Sequence, residues 1–412
     1  VRTYTELFAF SEFRVLFIST CLNVGASSMA SLALGTITFT TTDSAALTAL
    51  AMFGGPLVTL LGSTLLLSAS DLLRPRFAIL LIGALLTAVN AVQALPDLPL
   101  AVRFVLVALP FLAMSATAGS GIAVMSEILP PEGFVLGRST LNIAVGVMQI
   151  VGYGTAGLLL LVFSTSELFL AAASTGAISL VLVRLGLRER PARATGPVVK
   201  RTRTVNRQLL GSRLLRPIYL CLWVPNGLIV GCEALFVPYA GQRAGFLFAS
   251  AAAGMLVGDV VVGRFLSEQR RDRLIEPLRL LLAAPFLVFW LVPGLGIAIA
   301  AAFLASIGYG ASLPLQERLL AHTTPDQRGH VLGLRGTGMM VMQGVGAGLG
   351  GLLSDVFNAG VTGTAYAMGI LAVASLIVTA TLTPGLRRSR PTPVSDPLNR
   401  PPSPVQRSAP PQ

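Results

Sequence analysis

Twelve apolar stretches, each of about the length that a helix needs to cross a bilayer, divide this chain: 13–38, 46–69, 77–95, 101–127, 136–162, 166–186, 217–240, 244–266, 275–293, 295–318, 331–356 and 363–385. In hydrocarbon every backbone N–H and C=O must find its partner inside the protein, so continuous apolar runs of this length leave helices as the solution. The pattern predicts an all-α membrane protein with twelve transmembrane helices. Composition agrees: 12% of the 412 residues are charged, against about 25% in soluble proteins. Its 42 glycines also suit membrane helices, where Gly is common.

Turn signals separate the spans. Pro96-Asp97-Leu98-Pro99 parts spans 3 and 4, Leu129-Pro130-Pro131-Glu132-Gly133 parts 4 and 5, and Thr324-Pro325-Asp326-Gln327 parts 10 and 11. Pro293-Gly294-Leu295-Gly296, between spans 9 and 10, reads as a tight turn or as a kink. The first run lacks a basic segment before it and continues into a full span, so it reads as a helix and not as a cleavable signal.

Charge sets the expected orientation. With the N-terminus in the cytoplasm, only Arg103 and Arg243 of the 30 basic residues fall outside. The positive-inside rule then places both termini in the cytoplasm. The +12 net charge is thereby topological, and no nucleic-acid partner is expected. The basic stretch 187–216 reads as a cytoplasmic linker, and 387–412, rich in Pro, Ser and Arg, as a disordered tail. Residues 1–12 form a cytoplasmic N-terminus, leaving six-span bundles over 13–186 and 217–386.

Those bundles are related. Residues 147–163 and 341–357 are identical at eleven of seventeen positions, at an offset of 194. The copies lie in spans 5 and 11. Six spans is an even number, so the halves share one orientation, a parallel repeat about an axis along the membrane normal. A weaker echo links Asp71-Leu72-Leu73-Arg74-Pro75-Arg76 after span 2 to Ser267-Glu268-Gln269-Arg270-Arg271-Asp272-Arg273 after span 8.

With these features the chain resembles major facilitator superfamily transporters over roughly residues 13–386, nearest to bacterial drug and macrolide efflux members. Asp71, Arg74 and Arg76 match in kind the acid-and-arginine signature after span 2. Leu67 and Leu72 depart from it, and Pro75 interrupts it. Gly152, Gly154 and Gly157 match the glycine-rich span 5 of antiporters, which here lacks its proline. The arginine that proton-coupled exporters carry inside span 4 is missing. The resemblance implies two pseudo-symmetric six-helix bundles, with span 5 packed on 8 and span 2 on 11. It also implies a cytoplasmic gate. Asp71 would meet the start of span 11 near Arg335, and Glu268 would meet the start of span 5 near Arg138.

No ATP-binding loop is present, and no cofactor, metal site or catalytic constellation is expected. His322 and His330 share one polar loop and read as solvated, and Cys21, Cys221 and Cys232 lie unpaired in apolar runs. Work must therefore come from a gradient or from downhill flow. Polar groups at mid-membrane depth are costly in lipid and mark pathways or partners. Glu233 in span 7 is the sharpest such group: a desolvated carboxylate suits proton binding and release, with a structural hydrogen bond as the plainer alternative. Asn23 and Asn226, in the symmetry-related spans 1 and 7, suit an uncharged polar group of a substrate. Gln149 and Gln343 are repeat mates. Asp259 in span 8 has Arg264, or a basic residue across the seam, as its expected partner. Glycines of spans 8 and 11 read as a smooth seam between the halves.

The expected function is a monomeric secondary antiporter in a bacterial cytoplasmic membrane. It would export a small amphipathic or hydrophobic compound, with protons as the candidate coupling ion. The rivals are uptake or facilitated diffusion, and a transporter-shaped sensor.

Overall fold

The structure, a computed structural model, describes residues 3–55, 57–59, 74–116, 124–125, 127–190, 209–323, 328–358 and 360–389. Each predicted span has a helix among them. These are α1 (Ser11–Thr42), α2 (Ala45–Phe53), α3 (Pro75–Gln93), α4 (Leu100–Ala116), α5 (Pro131–Leu159) and α6 (Thr165–Gly186) in the first half. The second half holds α7 (Leu215–Glu233), α8 (Ala244–Val260), α9 (Glu268–Ala283), α10 (Leu295–Ile307), α11 (Arg328–Val356) and α12 (Val361–Arg388). Nine helical stretches among the described residues are long and apolar enough to cross a membrane, and one, Leu215–Phe265, runs through two predicted spans. The second part of span 2, the centre of the linker and residues 390–412 lie outside the described residues.

The helix ends follow local chemistry. Pro75 and Pro131 occupy first-turn positions, where a missing N–H costs nothing. Ser164 and Glu167 form a capping box on α6, satisfying two orphan backbone donors reciprocally. A 3-10 helix, Ala284–Leu291, continues α9, and the chain then makes a tight turn into α10, with Val292 left-handed at φ 47° and Gly294 capping α10. The kink alternative is thereby excluded.

One buried arginine explains a basic residue on the sparsely charged side. Arg103, 4% exposed, donates from Nη1 to the Gln93 carbonyl at 2.7 Å and Oε1 at 3.0 Å, and from Nε to the Leu98 carbonyl at 3.2 Å. Gln93 returns a bond to the Arg103 carbonyl. Together they staple the α3–α4 turn. Truncation would strand Gln93, and charged hydrogen bonds contribute roughly 1.5–3 kcal/mol each. Arg103→Ala is therefore expected to lower the thermal unfolding midpoint in detergent, with Arg103→Lys recovering part of the loss.

Packing repeats between the halves. Helix α1 lies against α5 and α6, as α7 lies against α11 and α12, and α5–α8 and α2–α11 join the halves. Two of the three glycines shared by the repeat copies take the same place in each. A Cβ on Gly152 would stand 3.0 Å from the Gly25 carbonyl of α1, and one on Gly346 would overlap the Gly227 carbonyl of α7. Gly157 faces Gly245 of α8, and Gly351 faces Ala45 and Ala46 of α2.

The glycine seam needs correction in detail. Gly254 and Gly258 of α8 press on the Phe303 and Ile307 carbonyls of α10, and Gly346 and Gly350 press on α7. These contacts lie within one half, because the closest main-chain approaches hold each bundle together. Other glycines, among them Gly154, Gly157, Gly245, Gly344 and Gly351, border the other half.

The start of α1 and the end of α6 share one face of the molecule, called here the terminal face. There Arg190 pairs with Glu12 at 2.9 Å and with Glu127 at 3.0 Å. In the second half Arg318 pairs with Asp272, and Arg387 with Glu276 at 2.7 Å. The opposite, far face carries the turns at 43–44, 160–164, 241–243 and 357–358.

Candidate functional site

A cavity of about 370 Å³ lies between the halves. Its far-face end is set by a helix ending and a helix break. Helix α7 ends at Glu233, and in the tenth span a 3-10 turn, Gly308–Ala311, follows α10. Gly308 packs on the backbone of α9 and Gly310 on the Gly258 carbonyl. That double contact fixes Tyr309 between them, and its hydroxyl donates to Glu233 Oε1 at 3.2 Å. Glu233 is 6% exposed and lines the cavity.

At middle depth Gln343 of α11 donates from Nε2 to Asn226 Oδ1 of α7 at 3.2 Å, and both line the cavity together with Gln149 of α5. The pair leaves the Asn226 amide N–H groups and the Gln343 carbonyl oxygen free for other partners. Toward the terminal face the wall carries Asp259 and Arg335, whose charges interact across it. Trp223 donates to the Arg335 carbonyl at 3.0 Å, which fixes the start of α11 on α7. Arg264, five residues on from Asp259, is exposed in a π-turn. The sequence expectation gave Asp259 either Arg264 or a basic residue across the seam as its partner; the cation whose charge acts on it is Arg335, which belongs to the same half.

The apolar wall is shared between halves. Phe53 of α2, Tyr153 of α5 and Phe248 of α8 all line it. Tyr153 and Phe248 stack with centroids 4.7 Å apart. Met255 and Met339 add flexible, polarisable surface.

Of the residues singled out in the sequence, the cavity thus gathers Glu233, Asn226, Gln149, Gln343, Asp259 and Arg335. Asn23 is half-buried on α1 and is not part of the lining. Asp71 and the side chain of Glu268 lie outside the described residues. Arg74 pairs with Glu189 at 3.1 Å and Arg76 donates to the Arg184 carbonyl, so both tie α3 to the end of α6. Arg138 is exposed and acts on Arg335 only as a like charge at a distance. His322 is bound to the Ser389 carbonyl at 2.9 Å and is not simply solvated. Sequence reasoning passed over Tyr153, Phe248 and Tyr309, because an aromatic in an apolar helix carries no mark of the face it occupies.

Comparison with known proteins agrees with this architecture. The sequence model of the Major Facilitator Superfamily matches residues 238–410. Among solved structures, a bacterial homologue of the human lysosomal transporter Spinster, inward-facing and unoccupied, aligns at a TM-score of 0.71. It shares 14% identity, over 93% of this chain and 98% of that one. A POT family transporter in complex with a thioalcohol-conjugated peptide aligns at 0.73 with 11% identity, over 92% and 96%. A D-xylose–proton symporter aligns at 0.68 with 12% identity, over 90% and 97%. No curated protein matches the chain by sequence.

Proposed function

From the premise that this chain has the major facilitator fold, we propose that it is a secondary transporter working by alternating access. The substrate is a small amphipathic compound, exported across a bacterial cytoplasmic membrane in exchange for protons. The observation that carries the reading is the cavity itself. Both halves build it, and it holds a buried carboxylate, an amide pair and an aromatic wall. Relative rocking of the halves would expose such a site to one face at a time.

Each layer has a role. Phe53, Tyr153 and Phe248 would take the apolar body of the substrate, and Asn226 with Gln343 its polar group. Glu233 would carry the proton. Tyr309 donates to it, so the carboxylate keeps one partner in either protonation state. Asp259 and Arg335 would form the terminal-side charge pair, and Asp71 with Arg335 the cytoplasmic gate. The bundles 13–186 and 217–386 would be the rocking bodies, with 187–216 as their tether.

Two measurements test this. Energised inside-out vesicles should accumulate a labelled amphipathic compound. Binding without flux would instead favour a sensor, and accumulation only in right-side-out vesicles would favour uptake. For orientation, a cysteine at Asn358 should react with an impermeant thiol reagent added to intact cells, and one at Arg213 should not. Asn358 is exposed at the far face and Arg213 is exposed before α7. The reverse pattern would invert the topology.

A further inference from the structure

The far-face end of the α2–α11 seam carries a feature that the cavity does not use. Asp355, near the end of α11, reaches across to the other half. Its Oδ1 accepts from the Ala45 N–H at 2.7 Å, and its Oδ2 accepts from Ser44 Oγ at 2.8 Å and the Ala46 N–H at 3.2 Å. Ala45 and Ala46 open α2. Their N–H groups have no partner within the helix, and they sit where the helix dipole is positive. Ser44 is the cap of α2, accepting from the Leu47 N–H, so its own proton is free to go to Asp355. One turn earlier, Gly351 lets the helices close: its Cβ would stand 2.5 Å from Ala46 Cα.

We infer that Asp355 is a latch between the halves that holds the far face shut, and that it acts on one seam only. The inference rests on the alternating-access reading above. The pseudo-symmetric seam, α5 on α8, has the same glycine approach through Gly157 and Gly245. Its counterpart to Asp355, at the offset of 194, is Leu161, which is 50% exposed. The start of α8 has no side-chain cap bond. All three Asp355 contacts join α11 to the first turn of α2, so separating the halves at this face breaks them together. The sequence repeat contains the asymmetry: 161/355 is one of the six positions at which its copies differ.

Distances between paired spin labels on the full chain decide the matter. One pair spans the far face, at Thr41 and Asn358, both exposed. They read the resting conformational equilibrium without substrate, so loss of the latch effect and loss of transport are separate results. Asp355→Asn should raise the ratio of far-face-open to far-face-closed molecules about tenfold, on the scale of a lost helix cap and its charge. Ser44→Ala, made in the other half, should shift it in the same direction by a smaller factor. Leu161→Ala should leave it unchanged. Wild-type distributions in folded Asp355→Asn and Ser44→Ala would overturn the latch. Should Asp355→Asn not fold, Ser44→Ala alone decides. A shift in Leu161→Ala as large as that in Asp355→Asn would overturn the restriction to one seam.

Discussion

Glu233→Gln should reduce proton-driven accumulation in inside-out vesicles to that of vesicles lacking the protein, while exchange of labelled for unlabelled substrate persists. The substitution is nearly isosteric, and its amide oxygen can still accept from Tyr309, whose hydroxyl donates at 3.2 Å in the native chain. The helix ending and the 3-10 turn that position the two residues are untouched. What goes is the ability to bind and release a proton at a site 6% exposed. Exchange needs only the rocking of a loaded carrier, so it should survive. Loss of both activities would make Glu233 a substrate ligand, and retention of both would leave it as a packing group.

The second large effect is expected where α7 and α11 meet. A Cβ on Gly346 would overlap the Gly227 carbonyl, and one on Gly350 would stand 2.5 Å from the Gly231 carbonyl. Main chain cannot yield as a side-chain tip can. Gly346→Val should therefore cost at least the roughly 1–3 kcal/mol typical of overpacking, seen as loss of monodisperse protein after extraction in detergent. Gly348, two residues on, has nothing within 4 Å of an added Cβ. Gly348→Ala should extract like the wild type, or slightly better, since Ala is favoured over Gly in helices by about 1 kcal/mol. Equal behaviour of the two variants would contradict the packing.

The contrast between these sites reflects what a sequence can carry. The helices were legible because hydrocarbon tolerates so few backbone solutions, and the pairing of α5 with α11 was legible because one segment is written twice. The facing of a side chain within an apolar helix was not, since lipid and protein interior select similar residues and amphipathicity is weak. Hence Gly254 and Gly258 looked like parts of a seam between halves when they pack on α10. Polar residues fared better: at that depth they need partners, which is why Asn226, Gln343 and Glu233 could be picked out before their cavity was known. Asp355 escaped notice because, at a helix end beside a turn, an acid has the look of an ordinary solvated residue. Its partners are backbone N–H groups some 310 positions away, which leave no trace in composition.

The Gly227–Gly346 and Gly231–Gly350 contacts have a mechanical consequence. With main chain against main chain there is no layer of side chains to shear, so α7 and α11 turn as a single lever. Glu233 rides on one arm of that lever and Asp355 on the other. A proton or substrate that biases the lever from the cavity then alters the hold at the seam, and thermodynamic reciprocity makes the two influences equal. By whatever factor occupancy of the cavity loosens the hold of Asp355 on α2, an intact hold weakens occupancy by that same factor. Substrate affinity measured in Asp355→Asn would therefore report, from a site outside the cavity lining, how tightly the cavity and the seam are geared.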